Sequence, residues 1–290
     1  MPFIGDYDNI MRKVLVVTDS TSDITKEIAE KYNITVVPLN VHMDNEVYKD
    51  QVTISSDEFF EKLSKCKNLP RTSQPSPGEF IEVYHSLLEE VDSIVSIHIS
   101  EEMSGTLQSA RIAAQSIPEA DISIIDSRSV CMGLGLVVIE AAKAAAEGKD
   151  KTEVLRVIEE AKKDLRVIFV VDTLDYLEKN GRIGKAHAFL GSLLSIKPVL
   201  AVQDGIIIPV EKMRGSKKAL SRLVETAREE VKGDFLGAAI VHGAAFDKLT
   251  FVRDELQARF SEMDLILGSV GPVIGVHAGP GVLGLMYFVR

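Results

Sequence analysis

Short β-branched runs alternate with stretches of helical spacing from Val14 onward, and short connections join them. Residues 14–18 form such a run, and Ile24, Ile28, Ala29 and Tyr32 then recur on one helical face. Residues 35–39 predict the next strand, and Asp44-Asn45 predicts the turn of a small hairpin. Ser55 and Glu58 have capping-box spacing and open a helix carrying Phe59, Phe60 and Leu63. Ser76-Pro77-Gly78-Glu79 is a fuller helix start, with a Ser cap, Pro at the first helical position and Glu at the third. Phe80, Val83, Tyr84, Leu87, Leu88 and Val91 continue it as one apolar stripe. Residues 94–100 and 122–126 read as strands flanking a helix that begins near Gly105, and the Ala-rich segment 137–147 reads as a further helix. Repeated strand–helix units of this kind imply a parallel sheet covered on both faces.

The second half differs in kind. A polar connector, Gly148-Lys149-Asp150-Lys151, precedes a helix over 153–165 and a strand over 167–171. Runs at 199–202 and 206–210 flank Asp204-Gly205, a strong hairpin signal. Helices are expected over 217–231 and 245–260, and strands near 236–241, 265–269, 273–276 and 283–289. Hairpins mixed with helices argue a mixed sheet. The expected organisation is an N-terminal parallel-sheet domain over 11–160 and a C-terminal mixed-sheet domain over 161–290. Residues 1–10 are out of pattern and precede a second Met at position 11, so they read as an extension.

Composition narrows the function. With 33 basic and 43 acidic residues the net charge is −10, which disfavours wholesale binding of nucleic-acid backbones. Cys66 and Cys131 lie far apart and support neither a disulfide scaffold nor a zinc site. The longest apolar run, 130–139, ends at Glu140 and is too short for a transmembrane helix. No signal peptide is apparent, and the chain reads as soluble and cytoplasmic. There is no Walker-A loop, GxSxG elbow or HExxH pair. Gly279-Pro280-Gly281-Val282-Leu283-Gly284 fits GxGxxG, but it is followed by a strand pattern where a dinucleotide fingerprint needs a helix.

Five segments remain as candidates. Asp19-Ser20-Thr21-Ser22-Asp23 follows the first strand, where its hydroxyls and carboxylates either cap a helix or serve as ligands, or as nucleophile and base. Thr72-Ser73-Gln74-Pro75-Ser76 is a polar loop stiffened by proline, able to fix the Thr72 and Ser73 hydroxyls. Ser104-Gly105-Thr106 lies between strand and helix, where N–H groups either are capped or bind an anion. His277 ends an apolar run read as a strand, and the Gly-Pro-Gly turn after it places it at a rim. Arg182, beyond the helix end at Asn180-Gly181, is either a solvated charge or a partner contact. His42, His98 and His242 have no metal-ligand spacing and read as structural.

In combination these segments resemble the DegV family from Met11 onward. The motifs are DSTSD (19–23), TSQPSPGEF (72–80), SGTLQSA (104–110), NGRI (180–183), KPVL (197–200), RGSKKA (214–219) and the terminal GPVIGVHAGPG. The resemblance implies a two-domain α/β fold, the first domain a doubly wound parallel sheet and the second a mixed sheet with flanking helices. It implies a carrier with no cofactor, metal or catalytic residue of its own. Such a carrier binds one long-chain fatty acid, such as palmitate, stearate or oleate, in a buried tunnel. It also implies a partner, a dihydroxyacetone-kinase-like fatty acid kinase that phosphorylates the carboxylate. Carried over by motif, Thr72, Ser73, Ser104 with the Gly105 N–H, and His277 form the carboxylate site, with Arg182 a partner contact. Two departures stand out: Asn180 replaces a glycine common in the family and is expected in the left-handed conformation, and Glu101-Glu102 interrupt a serine-rich run. The competing reading is a hydrolase or phosphotransferase using Asp19, Ser20 and Asp23.

Overall fold

The computed structural model describes residues 14–191, 196–233, 235–260 and 262–289; the extension expected at 1–10 lies outside them. The chain begins with β1 (Val14–Asp19), α1 (Lys26–Tyr32) and β2 (Ile34–Val37). The expected hairpin follows as β3 (Asn40–Met43) and β4 (Glu46–Lys49), then come α2 (Ser56–Leu63) and β5 (Arg71–Ser73). α3 (Pro77–Leu88), β6 (Ser93–His98), α4 (Thr106–Gln115) and β7 (Asp121–Asp126) complete the first sheet. Its strand order is β2-β1-β6-β7, all parallel, so the order reverses between β1 and β6. β3, β4 and β5 form a small antiparallel sheet beside it. Both capping boxes are present: Ser55 with Glu58 starts α2, and Ser76 with Glu79 starts α3.

α5 (Met132–Ala146) begins five residues earlier than its alanine-rich part suggested. Eleven of its fifteen residues are buried, because it is covered on both sides. One face meets β1 and β6, and the other meets the second sheet. Each of its large apolar side chains contributes about 1.5–3 kcal/mol by leaving water. α6 (Lys151–Asp164) lies alongside it.

The second sheet is built from β8 (Leu165–Val170), which α7 (Asp175–Lys179) follows, and the hairpin β9 (Ile196–Gln203) and β10 (Ile206–Arg214). α8 (Ser216–Glu230), β11 (Phe235–His242), α9 (Phe246–Gln257), β12 (Met263–Ser269), α10 (Pro272–Ala278) and β13 (Leu283–Phe288) complete the chain. The order is β10-β9-β8-β13-β11-β12, antiparallel except for the β11–β12 pair. Side-chain alternation splits this sheet cleanly. Ile168, Val170, Ile240, Leu283 and Leu285 pack on α8 and α9, while Val167, Phe169, Val241 and Met286 face α5.

One expected strand, 273–276, is instead the helix α10. Gly271 precedes it in an extended conformation and Pro272 takes the first helical position. The first N–H groups of this segment meet carboxylates: Gly271 N donates to Asp23 Oδ1 at 2.9 Å and Val273 N to Asp50 Oδ1 at 3.3 Å. Carboxyl oxygens at this end of a helix satisfy its unpaired donors. GxGxxG, by contrast, leads into β13 as expected.

Candidate functional site

Asp19–Asp23 lies at the carboxyl end of β1, beside the reversal of strand order where open α/β sheets bind ligands. Its side chains are nonetheless spent internally. Asp19 caps the 3-10 turn 20–22, with Oδ1 accepting from Thr21 N at 3.0 Å. Its Oδ2 accepts from Ile99 N at 3.0 Å and lies 3.0 Å from His98 Nδ1. His98 is buried and continues the chain through Ser96 to Tyr84, a structural histidine as expected. Ser20 Oγ donates to Asp50 Oδ2 at 2.6 Å and accepts from Leu39 N at 3.0 Å, so this oxygen is committed inside the protein. Asp23 accepts from Cys131 Sγ at 2.8 Å and from Gly271 N. Burial pushes the Asp23 carboxyl well above its ordinary range and raises Asp50 to about 7. The segment is a buried clasp tying β1, β6, the small sheet and α10 together.

A cavity opens next to this clasp, between Val130 and Cys131 at the start of α5, α10 and the inner face of the second sheet. None of residues 19–23 borders it. Ile99, Val167, Phe169, Val241, Ile274, Val282 and Met286 line it with hydrocarbon, and Gly284 lies among them. Its polar lining gathers at one end, where Thr72, Gln74, Ser104, Arg182 and His277 meet. The Cys131 thiol borders it elsewhere, bonded to Asp23, and burial pushes that thiol well up.

Thr72 and His277 are brought together across 205 residues: Thr72 Oγ1 and His277 Nε2 are 2.9 Å apart. Thr72 lies in β5, not in a loop, opposite Val41. His277 sits in the last turn of α10 and is mostly enclosed, not at the end of a strand on an open rim. Burial, and then the positive Arg182 nearby, hold its imidazole down to about 4, so it is neutral at ordinary pH. Its buried Nδ1 has no hydrogen-bond partner among the described residues.

Ser73 borders the cavity, but its hydroxyl belongs to the other face of β5, because successive strand side chains alternate. It lies 2.9 Å from His42 Nε2 and accepts from Asn40 Nδ2 at 3.4 Å. Ser104 lines the polar end, with its Oγ 2.9 Å from Thr106 Oγ1 and accepting from Thr106 N at 3.3 Å. Gly105 is the cap residue of α4, without a side-chain cap bond, and does not itself border the cavity.

Arg182 is neither a bare solvated charge nor remote from the pocket. Its Nε donates to Met103 O at 3.1 Å and one Nη to Asn180 O at 2.9 Å, which holds the guanidinium at the polar end. Asn180 is not left-handed; Gly181 takes that conformation, at φ 71°, and Asn180 Nδ2 donates to Val276 O at 3.0 Å. That bond ties α7 to α10. Glu101 is paired with Arg111, at 2.7 Å. Sequence reasoning did not single out Gln74; no local signal marks it within its motif. Among the described residues no group of three His, Cys, Asp or Glu is arranged to hold a metal, and no helix is long and apolar enough to cross a membrane.

A family model described as "Uncharacterised protein, DegV family" matches residues 13–290. A DegV domain-containing protein of Halalkalibacterium halodurans is 38% identical over 282 residues, covering 97% of this chain and 100% of that protein. A solved Thermus thermophilus structure, described as fatty acid binding of a DegV family protein, superposes with a TM-score of 0.90 at 35% identity. It covers 95% of this chain and 99% of its own. The structure of Bacillus subtilis DegV, described as a fatty acid binding protein, gives 0.86 at 35% identity, covering 96% and 99%. Model, sequence relatives and structures agree over nearly the whole chain, which belongs to the DegV family.

Proposed function

We propose that this protein is a carrier that holds one long-chain fatty acid in the cavity and presents its carboxylate to a kinase partner. The observation that carries this reading is the polarity of the cavity: hydrocarbon walls closing on one polar end made by Thr72, Ser104, Arg182 and His277. An alkyl chain of roughly fifteen methylenes gains on the order of 12 kcal/mol by leaving water, before the costs of association. The carboxylate then needs enough hydrogen bonds to offset its desolvation. Hydroxyls and a neutral imidazole supply them, and Arg182 adds a cation at the mouth. The fatty acid binding stated in the descriptions of the related structures supports the same ligand class.

Among the described residues the polar end holds one cation, Arg182, and Ser20 is committed to Asp50 and Leu39. Phosphoryl transfer requires charge neutralisation around the moving group, which ATP-bound magnesium and a second protein supply. The reading is tested by incubating lipid-loaded protein with ATP and magnesium, with and without a dihydroxyacetone-kinase-like fatty acid kinase, and following acyl phosphate. Product is expected only with the kinase, and reduced for Arg182→Ala. Product without the kinase overturns the carrier reading and revives the Asp19–Ser20–Asp23 alternative.

A further inference from the structure

Gln74 borders the polar end of the cavity between Thr72, two residues before it, and Ser104. Its backbone is restricted by the buried Pro75 that follows, so the side chain departs from a fixed point. The carboxamide lies flat over Gly105. A β-carbon added at Gly105 would come 2.6 Å from Gln74 Nε2 and 2.9 Å from Cδ, closer than real β-carbons approach anything. Gly105 has an ordinary φ of −74°, so it is not glycine for the sake of its own backbone. Without a β-carbon there, Gly105 leaves this space to the end of the Gln74 side chain. Gln74 is exposed, and among the described residues its carboxamide makes no hydrogen bond. A primary amide with two N–H donors, at a cavity end that holds a guanidinium and hydroxyls, suits an anionic oxygen.

We infer that Gln74 is a head-group ligand of the bound acid, its amide donating to the carboxylate, and that Gly105 serves by letting the amide lie across the start of α4. This deepens, and rests on, the fatty-acid reading above. Pro75 restricts the backbone from which the side chain departs, which lowers part of the ordering cost of using a flexible side chain for recognition. The sign of charge at position 74 then matters: a carboxylate there would repel the ligand carboxylate.

The test measures affinities for palmitate and methyl palmitate by calorimetry for the parent, Gln74→Ala, Gln74→Glu, Gly105→Ala and the Gln74→Ala/Gly105→Ala double variant. Circular dichroism checks that each is folded. Gln74→Ala is expected to lose about tenfold in palmitate affinity, within the range for a hydrogen bond to a charged group. Gln74→Glu is expected to lose more than Gln74→Ala for palmitate and only a few-fold for the uncharged ester. Gly105→Ala should reproduce Gln74→Ala by displacing the amide, and should cost nothing further where Gln74 is already gone. Palmitate binding left intact by Gln74→Glu, or additive losses in the double variant, overturns the inference alone. A parent that binds no palmitate overturns the fatty-acid reading and this inference with it.

Discussion

Gly284 is the point at which the proposed tunnel is most easily closed from within. It lies in β13 between Phe169 of β8 and Val241 of β11, three residues that form one row across the inner face of the second sheet. Val282 precedes this row on the side of the Gly-Pro-Gly turn, and Met286 lies two residues further in. A β-carbon at Gly284 would come 2.8 Å from Met286 Cε and 3.5 Å from Val241 Cγ2. Those neighbours are side-chain ends, so a larger residue is accommodated by shifting Met286 and filling the cavity. Leucine at this position occupies the space of about four methylenes of ligand, a loss of roughly 3 kcal/mol. That corresponds to about 200-fold in palmitate affinity. The fold should not suffer, since the added carbons fill a void in place of exposing surface. Calorimetry on Gly284→Leu with palmitate and with decanoate reads the effect, and the shorter acid should lose far less. Parental palmitate affinity in a folded Gly284→Leu protein would refute the path of the chain along this sheet.

At the head group, Thr72→Ala and Ser104→Ala should each weaken palmitate binding by about 1.5–3 kcal/mol in calorimetry; folded variants with parental affinity would dissociate these hydroxyls from the site. Stability should also report His277. Its folded value of about 4 lies below the ordinary 6.5, so the unfolded chain binds the proton more tightly and stability is lost as pH falls from about 6.5 to 4. Denaturation across that range should show the parent losing roughly 3 kcal/mol relative to His277→Gln, and a difference independent of pH would contradict it. Asp50 acts in the opposite sense. Its folded value near 7 exceeds the ordinary 3.8, so stability is lost as pH rises from about 4 to 7. Asp50→Asn should lose that decline with pH, and an unchanged slope would show that the carboxyl is not held protonated.

Local signals were legible in the sequence because they are closed within a few residues. The Ser55–Glu58 and Ser76–Glu79 boxes depend on three-residue spacing, and Asp204-Gly205 makes its turn with both residues at positive φ. α10 was not legible as a helix. Its short apolar run suits a buried strand equally well, and the carboxylates that meet its first N–H groups come from Asp23 and Asp50, 248 and 223 residues away. His277 was singled out, but its enclosure and its Thr72 partner follow from that helix and from β5. Thr72 and Ser73 looked equivalent as neighbours in a loop. The short strand separates them, turning one hydroxyl to His277 and the other to His42. Gln74 passed unnoticed because its significance lies in Gly105, thirty-one residues on, and only the contact reveals it. Arg182 was marked, yet its place at the pocket depends on the Met103 carbonyl that holds it.

Mass spectrometry of the organic extract of the natively purified protein, with the extracted lipid quantified against chain concentration, tests the central claim most directly. The account predicts close to one long-chain fatty acid per chain, exchangeable for added palmitate or oleate. Protein that emerges free of lipid and takes up neither acid would contradict it.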